Sequence, residues 1–422
     1  MLIEFNVANY ASFKDRATLS MVASKDRDLE ENNVFKVGKR RLLKSVVIYG
    51  ANASGKSNLL DAMAFMRHMV SKSSKDTTAA ENINVRSFKL STECVDKPSF
   101  FEIVFIQNKT IYRYGFTLDR KKIHSEWLFN VPTTKEARLF VREGKKFKLN
   151  TDRFKEGRGL QKKTRENALF LSVCAQWNGK ISMGILSWFQ NLGLLHGLHD
   201  FGYLDETKKS LEEPEKKKWI MQMINIADFL IEDIETSKKK LTIEDLPELI
   251  KDDFKRKILD QNEMLVELKT VHSQYGKNDE EVGKILFDLE DDESGGTQKF
   301  VTMAGPLLNT IQQGKVIVID ELDSRLHPKL TWTIVELFNS YANKKNAQLI
   351  FASHDTSLLN NKLFRRDQIW FTEKEKHGST ELYSLIELKG VRKESSFSKD
   401  YILGKYGAIP FIGDSKWLFC ED

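Results

Sequence analysis

Residues 50–57 of the chain read GANASGKS and fit the pattern G-x-x-x-x-G-K-[ST]. Glycines in such a turn let backbone N–H groups curl around phosphate oxygens, and a helix N-terminus behind the turn adds positive potential. The Lys56 ammonium would then reach the outer phosphates, and the Ser57 hydroxyl would hold Mg²⁺. The residues predicted to bind the phosphates are Gly50, Ala51, Asn52, Ala53, Ser54, Gly55, Lys56, Ser57 and Asn58.

The segments on either side of this turn favour the same interpretation. "VVIYG" before it is a short apolar run typical of a buried strand. "SNLLDAMAFMRHMV" after it repeats leucine and methionine at helical spacing. The alternative is a strand–turn–helix connection with an accidental choice of residues, and this context makes that alternative less favourable.

A second stretch, "KVIVIDELDSRLHP", brings two acids to the end of an apolar run. A strand from Val316 to Ile319 would deliver Asp320 to the Mg²⁺ shell and place Glu321 beside the attacking water as general base. The alternative, a core strand followed by a solvated helix start, is common when such a stretch stands alone. Together with the phosphate turn, the acids indicate a site that binds and hydrolyses ATP with Mg²⁺.

The spacing of these stretches indicates how the chain is organised. Asp320 lies 264 residues after Lys56 (320 − 56), so a large segment must be inserted between the two halves of the nucleotide site. Just before the acids, "ESGGTQKF" places a Ser-Gly-Gly turn, residues 294–296, at the start of a predicted helix. Further on, "QLIFASHD" ends a predicted strand at His354.

In this order the parts resemble the ABC-type ATPases. In that family a Ser-Gly-Gly element caps the γ-phosphate held by a second subunit, so the resemblance implies that Ser294, Gly295 and Gly296 close a dimer around two ATP molecules. It also implies that His354 is the switch histidine that contacts the γ-phosphate and that Asp323 belongs to the D-loop. The catalytic residues would then be Lys56, Glu321 and His354.

Two features depart from the transporters of this class. Glu293 stands where they usually have leucine, a change seen in the SMC, RecF and OLD branches. The glutamine that completes the family's metal site is not obvious; Gln176, in "FLSVCAQWN", is the candidate ligand, and a plain surface glutamine is an equal alternative. Tyr10 or Phe13 could stack on adenine, although core packing is the favoured expectation for both.

The C-terminal part narrows the resemblance. "NAQLIFASHDTSLL" and "SKDYILGKYGAIPFI" look like the soluble AAA/ABC ATPases of prokaryotic anti-phage and abortive-infection systems, the RloA and AbiL type. This implies a homodimer or higher homo-oligomer with composite ATP sites, and a separate, nuclease-like effector protein. Only 68 residues follow His354 (422 − 354), and they show no nuclease pattern, which argues against the OLD arrangement with a nuclease in the same chain.

The predicted fold class is therefore α/β, an ABC-type P-loop ATPase head with an antiparallel β subdomain and an inserted helical lobe. Alternating apolar and polar residues over 98–130 predict the hairpins of that subdomain. The expected domains are 1–75, the N-terminal half of the core with the P-loop; 76–204, a β-hairpin and helical subdomain; 205–290, a charged helical lobe; and 291–422, the C-terminal half of the core.

Composition restricts the class of protein. A chain of 422 residues can build one large or two ordinary domains, and 41% hydrophobic with 30% charged residues is typical of a soluble, folded protein. No apolar run reaches the ~18 residues of a membrane helix, and the N-terminus lacks a secretory pattern, so we expect a cytoplasmic protein without a membrane partner. Cys94, Cys174 and Cys420 are too scattered for a disulfide framework or a zinc site.

The net charge of +6 is mild and leaves a nucleic-acid partner open. Basic segments at 155–165, 216–218 and 238–240 favour an alternative function, a RecF-like DNA-binding repair ATPase. Solvated helix faces and loops are the simpler interpretation, because acids are interspersed among the lysines. A third function, the ATPase subunit of an ABC transporter, is disfavoured by Glu293 and by the large insert.

Overall fold

The structure is a computed structural model that describes residues 1–75, 78, 81–131, 135–197, 203–240, 264–392 and 394–410. It contains two units. The first comprises Met1–His196, Thr310–Asp323 and Thr331–Asp422, and the second comprises Gly197–Asn309 and Ser324–Leu330. Much of the predicted charged lobe, residues 241–263, lies outside the described residues.

A six-stranded sheet in the first unit carries the turns that the sequence associates with ATP. From edge to edge its strands are β11 (Leu192–His196), β15 (Val316–Asp320), β16 (Gln348–Ala352), β5 (Ser45–Tyr49), β17 (Ile369–Lys374) and β18 (Thr380–Ser384). The first five are parallel, and only β18 runs antiparallel to its neighbour. The strands β5, β15 and β16 are buried along their whole length, as is usual for parallel strands covered on both faces. Because they are parallel, the turns that follow them meet at one edge of the sheet.

The predicted hairpins form a seven-stranded antiparallel sheet in the same unit. Its order is β10 (Lys146–Leu149), β9 (Ala137–Glu143), β8 (Ile123–Val131), β7 (Thr110–Leu118), β6 (Ser99–Gln107), β1 (Leu2–Ala8) and β2 (Ala17–Ser20). Phe101, Ile103 and Phe105 of β6 are buried together, as their alternation predicts. A separate hairpin joins β3 (Val34–Val37) to β4 (Arg40–Leu43).

Helix α2 (Lys56–Lys72) links the phosphate turn to the core of the first unit. Its residues Leu59, Met63, Met66 and Val70 are buried at spacings of three and four, which aligns them on one face. They belong to one apolar cluster with Val46 and Ile48 of β5 and with Phe101 of β6. The helices that lie wholly or mostly in this unit are α1 (Glu30–Asn33), α2 (Lys56–Lys72), α3 (Thr92–Val95), α4 (Phe170–Gln176), α5 (Lys180–Gln190), α9 (Pro328–Asn339) and α10 (Phe397–Ile402). Among the described residues, no helix is both long and apolar enough to cross a bilayer.

The second unit combines helices with a small sheet. It contains α6 (Tyr203–Leu211), α7 (Pro214–Ile226), β12 (Asp233–Lys240), β13 (Met264–Tyr275), β14 (Glu281–Asp288) and most of α8 (Gly295–Gln313). The three strands pair antiparallel in the order β12-β13-β14. Helix α6 approaches α8 closely at Gly305, where a Cβ would lie 2.5 Å from the Thr207 backbone.

The α/β P-loop ATPase fold predicted from the sequence is confirmed, with two differences in detail. The inserted lobe has the expected helices α6 and α7, and also the three strands β12–β14, which the charge-dense sequence did not reveal. The last part of the subdomain predicted at 76–204 forms the helices α4 and α5, and then the strand β11, which belongs to the parallel sheet. The short run LGLLH of β11 becomes a strand because it pairs along its whole length with β15.

Candidate functional site

Two glycines shape the phosphate turn between β5 and α2. Gly55, just before α2, has φ +117°, which side-chain-bearing residues rarely adopt. A Cβ there would also lie 2.8 Å from Ser12 Oγ. A Cβ at Gly50 would lie 2.5 Å from Ser54 Oγ and would press against the backbone oxygen of Thr372. Both glycines of the sequence pattern are therefore required by close approach.

Hydroxyl groups from distant parts of the chain brace this turn. Ser54 Oγ and Thr372 Oγ1 share a hydrogen bond of 2.6 Å, and Thr380 Oγ1 donates to the Ser54 carbonyl at 2.7 Å. Ser12 Oγ accepts from Asn58 Nδ2 at 2.8 Å and lies 2.7 Å from Thr380 Oγ1. Sequence reasoning missed Ser12, Thr372 and Thr380, because single serine and threonine residues carry no local signal of a contact hundreds of residues away.

Lys56 is almost fully buried at the first position of α2. Its Nζ donates to the carbonyls of Gly50 at 2.7 Å and Ala51 at 3.1 Å, so the turn itself holds the ammonium. Burial lowers the pKa of Lys56, and the nearby carboxylates of Asp320 and Glu321 act in the opposite direction. The phosphate turn and the acid pair thus lie close enough to influence each other's charge.

Asp320 ends β15 with its side chain almost buried. Its Oδ2 lies 3.7 Å from His196 Nε2, at the end of the neighbouring strand β11. Its Oδ1 is buried and has no hydrogen-bond partner, a costly arrangement that a cation or its water ligand would relieve. With the exposed Ser57 hydroxyl as a second oxygen donor, the site fits Mg²⁺, which prefers oxygen ligands and would neutralise charge on the outer phosphates.

Glu321 and His354 face the phosphate turn across a cleft of about 410 Å³. The cleft is lined by the turn residues Asn52, Ala53, Ser54, Gly55, Lys56, Ser57 and Asn58, and by Glu321 and His354. Glu321 has φ +50°, a left-handed backbone that is unfavourable for glutamate and is typically retained at functional positions. The structure therefore brings together the residues that the sequence predicts for phosphate binding and for catalysis.

Asp323 fixes the segment that carries His354. The two oxygens of its carboxylate lie 3.2 and 3.4 Å from the His354 backbone nitrogen, which donates to them. Burial, reinforced by the positive charge of Lys56, lowers the pKa of His354. The imidazole is therefore held neutral at neutral pH, a state in which it can donate one hydrogen bond and accept another.

A second cavity of about 380 Å³ lies beside the phosphate turn and shares two of its residues. Its lining residues are Ala11, Ser12, Ala53, Asn58, Arg86, Ser87, Phe88, Lys89, Leu90, Lys374 and Gly378. Tyr10 and Phe13 are not among them: both are buried, and Tyr10 packs edge-on against Phe101 with ring centres 5.3 Å apart. Both aromatic residues therefore pack in the core, as the sequence analysis favoured.

The Ser-Gly-Gly turn begins α8 in the second unit. Ser294 caps this helix: its Oγ accepts from the Thr297 backbone N–H at 3.2 Å and lies 2.8 Å from Thr297 Oγ1. A Cβ at Gly296 would lie 2.7 Å from the backbone oxygen of Arg325. The turn, which we call the signature turn (residues 294–296), is thus packed against the segment that follows the acid pair, and Ser294 is exposed.

Gln176, a predicted metal ligand, is not among the described residues that line the cleft. It is the last residue of α4, and its side chain is exposed. Its role as a ligand stays a prediction without geometric support. Among the described residues, no cluster of three or more His, Cys, Asp or Glu side chains forms a cage for a metal ion, so Asp320 and Ser57 would depend on phosphate oxygens and water to complete a Mg²⁺ shell.

Comparison with known proteins finds ATP-binding relatives. The lipoprotein-releasing system ATP-binding protein LolD of Rickettsia felis is 31% identical over 100 residues, which cover 24% of this chain and 42% of that protein. The LolD of Rickettsia conorii is 28% identical over 166 residues, covering 38% of this chain and 69% of that protein. The chain thus spans about two fifths of the first of these relatives.

Among solved structures, the SMC head domain from Thermotoga maritima matches with a TM-score of 0.40 and 14% identity, over 91% of this chain and 98% of that one. An SMC head bound to the C-terminal winged-helix domain of ScpA matches with a TM-score of 0.44 and 13% identity, over 91% and 97%. The profile of the family described as "AAA domain, putative AbiEii toxin, Type IV TA system" matches residues 45–360. Because that match runs from the strand before the phosphate turn to beyond His354, the chain belongs to this family of AAA domains.

Proposed function

We propose that this chain hydrolyses ATP as the regulatory subunit of a prokaryotic anti-phage defence system. The observation that supports ATP hydrolysis is the cleft in which the phosphate turn faces Glu321 and His354. One side of this cleft offers backbone N–H groups and the Lys56 ammonium for phosphate. The other offers a carboxylate for the attacking water, so the groups needed for hydrolysis surround one volume.

Each residue has a distinct task in this proposal. Lys56 leaves the carbonyls of the turn and binds the outer phosphates. Ser57 and Asp320 are the residues that would hold Mg²⁺, which would neutralise charge on those phosphates. Glu321 accepts the proton of the attacking water, and neutral His354 contacts the γ-phosphate. The neighbouring cavity beside Ser12 and Asn58 accommodates the nucleoside, because it continues directly from the phosphate turn.

The signature turn completes the site from a second copy of the chain. Ser294 is exposed at the N-terminus of a 19-residue helix, where backbone N–H groups and the helix dipole favour a phosphate. Two chains would therefore close head to head around two ATP molecules, or in pairs within a larger ring. Hydrolysis assisted by Glu321 would reopen the pair.

Two variants with opposite behaviour test the catalytic assignment. Lys56→Ala removes the phosphate-binding cation and should abolish ATP binding. Glu321→Gln should bind ATP with parental affinity and lower turnover by roughly 10²–10⁴-fold, the range for loss of a general base. Turnover and binding are measured by phosphate release and by titration with a fluorescent ATP analogue. Glu336→Gln, on the exposed face of α9, is the control, and parental turnover in Glu321→Gln would refute the assignment.

A separate, nuclease-like effector is the second part of the proposal. It is supported by the resemblance of the C-terminal segments to abortive-infection ATPases and by the toxin–antitoxin wording of the matched family. Tagged Glu321→Gln protein, purified from its host with ATP and Mg²⁺, should carry a stoichiometric partner that is lost when Ser294 is also replaced by Arg. That partner should then be toxic when it is expressed with the parental ATPase and harmless with Lys56→Ala.

One surface favours a second function, direct binding of nucleic acid. Next to the exposed Trp177 lies a basic patch, and Lys163 Nζ stands 3.7 Å from the centre of the Trp177 ring. Its cations are all exposed, and none forms an ion pair with another described residue: Arg153, Lys155, Arg158, Lys162, Lys163 and Lys180. The nearby Glu156 is occupied, because it accepts from the backbone N–H groups of Ile181 and Ser182. Uncompensated cations beside an aromatic ring suit a phosphate backbone with exposed bases.

Salt dependence tests this second function. If the patch binds nucleic acid, a labelled single strand should bind more weakly as salt rises, and the double variant Lys155→Ala/Lys162→Ala should lower the salt slope by about 2. Lys344→Ala/Lys345→Ala removes the same charge from another exposed site and should leave the slope unchanged. Equal salt slopes in the two double variants would show that the patch is not the binding surface. If the parental chain binds no nucleic acid at all, this second function is refuted and the regulatory function is the remaining proposal.

A further inference from the structure

The acid before the signature turn is held inside the second unit. The Glu293 side chain is 10% exposed, although it adjoins an exposed turn. Its Oε1 accepts a hydrogen bond from Thr270 Oγ1 and lies 2.8 Å from His272 Nε2. A buried carboxylate needs hydrogen-bond partners, and these two side chains provide them.

Both partners of Glu293 stand on β13, the central strand of the inserted sheet. Thr270 is fully buried and pairs with Ile234 of β12 on one side and with Phe287 of β14 on the other. The His272 ring packs on the Phe287 ring with centres 4.8 Å apart. The anchor is therefore a strand hydrogen-bonded on both edges, which moves only with the sheet.

A second set of bonds fixes the turn to the helix that follows it. Gln298 Nε2 donates to the carbonyls of Glu290 at 2.8 Å and Glu293 at 2.9 Å. Ser294 caps the same helix through the backbone N–H of Thr297. The signature turn is thus held on one side by α8 and on the other by β13, and Glu293 is its link to the strand.

We propose that Glu293 is a positioning residue through which β13 sets the orientation of the signature turn. This inference rests on the proposed function, in which that turn caps ATP bound by a second copy. The inserted sheet then governs how tightly two chains close on ATP, and anything that displaces β13 weakens closure. A leucine at position 293 could fill the space but could not bond to Thr270 or His272, so glutamate is what couples the sheet to the turn.

Dimerisation in the presence of ATP and Mg²⁺ tests the inference in a Glu321→Gln background, where hydrolysis is slow. Adding Glu293→Leu should raise the dimer dissociation constant, measured by sedimentation, at least ~10-fold, since a hydrogen bond to a charged group is lost. The affinity of the dilute monomer for a fluorescent ATP analogue should not change, because the P-loop belongs to the first unit and Glu293 to the second. A general loss of structure would instead weaken both dimerisation and the binding of the ATP analogue by the monomer. Glu293→Gln keeps an oxygen acceptor and should recover part of the dimer affinity.

The control and a double variant sharpen the test. Glu290→Leu, three residues earlier and exposed, should dimerise like the parent. His272→Leu should weaken the dimer alone and add little to Glu293→Leu, because both break one contact. Should Glu293→Leu fail to fold, Thr270→Val removes one donor with little change of volume and should weaken the dimer in the same direction.

The possible outcomes distinguish the role of Glu293 from the ATP-dependent dimer on which it depends. A parent that dimerises with ATP while Glu293→Leu dimerises equally well overturns the role of Glu293 and leaves the proposed function intact. If the Glu321→Gln parent binds ATP but stays monomeric at every concentration, the proposed dimer is refuted. The positioning role of Glu293, which depends on that dimer, is then refuted as well. Weaker dimerisation of Glu293→Leu with unchanged ATP affinity supports both.

Discussion

At the scale of single residues, the cleft is built by groups that restrain one another. Lys56 is buried and its ammonium is held by two carbonyls, while Oδ1 of Asp320 is buried without a hydrogen-bond partner. His354 is kept neutral and Glu321 is held in a strained backbone. A buried ammonium, an unpaired carboxylate oxygen and a positive φ at glutamate are each unfavourable in isolation, and a fold that maintains all three has the character of a preorganised site.

The glycine before α2 provides a test of this preorganisation. Gly55→Ala introduces a Cβ against Ser12 Oγ and forces alanine to φ +117°, so we expect a loss of about 1–3 kcal/mol in the free energy of unfolding and much weaker ATP binding. Urea unfolding and nucleotide titration measure the two effects. Gly184→Ala in α5 meets no atom within 4 Å and should be neutral or slightly stabilising. Equal effects of the two substitutions would contradict the argument.

The lowered pKa of His354 predicts a pH dependence of stability. Between that lowered pKa and 6.5, the usual value, the unfolded chain binds a proton at His354 that the folded chain does not. Wild type should therefore lose stability relative to His354→Gln as the pH falls below about 6.5, and the difference in stability between the two should be constant above that pH. Urea midpoints between neutral and mildly acidic pH measure this, with His377→Gln in an exposed turn as control. A pH-independent difference would mean that His354 is not shielded.

The site was predictable from the sequence where its residues are neighbours in the chain. The phosphate turn and the acid pair each lie within eight residues. The turn and Glu321 line the cleft, and Asp320 lies close enough to affect the charge of Lys56. Ser12, Thr372 and Thr380 could not be predicted, because their contacts with the turn span more than 300 residues in two of three cases, and no single serine or threonine is unusual. The choice of Gln176 failed to find support for a related reason: one exposed glutamine in a helix looks like any other.

At the scale of elements, a buried ion pair fixes helix α4 to the antiparallel sheet. Glu126 of β8 is fully buried and accepts from the backbone N–H groups of Phe170 and Leu171 at the start of α4. Its partner Arg142 of β9 lies 3.6 Å away and donates to the carbonyl of Ala168. The pair thereby joins two strands to the segment that leads through α5 to β11, beside Asp320.

Removal of the charge on Glu126 should destabilise this connection. Glu126→Gln leaves the Arg142 charge buried and uncompensated, so we expect a loss of about 2–4 kcal/mol in the free energy of unfolding. Urea unfolding followed by circular dichroism measures it. Glu136→Gln breaks the partly exposed pair with Arg113 and should cost less than about 1 kcal/mol. A cost for Glu126→Gln as small as that of the control would show that the buried pair does not hold α4.

Elements were predictable where their periodicity was clean. The alternation of β6 and the helical stripe of α2 lead directly to the buried faces that the structure shows. Strands β12–β14 all escaped prediction. In β12 and β14, the segments DIETSKKK and EVGKILFD mix charged and apolar residues without an alternation that marks one buried face. Their pairing with β13 decides their conformation, and pairing between distant segments cannot be deduced from local composition.

At the scale of the whole molecule, the P-loop and the signature turn belong to different units, so hydrogen exchange can distinguish binding by one chain from closure of two. In Glu321→Gln protein, ADP should protect the first turn of α2 at any protein concentration, because the P-loop of one chain holds it. ATP with Mg²⁺ should additionally slow exchange at the start of α8, roughly tenfold or more, only at concentrations where dimers form, since ligand and partner binding protect in proportion to occupancy. Ser294→Arg should lose the protection at α8 and keep that at α2. Protection of α8 by ADP in dilute monomer would instead mean that a single chain supplies both halves of the site, and the composite dimer would have to be abandoned.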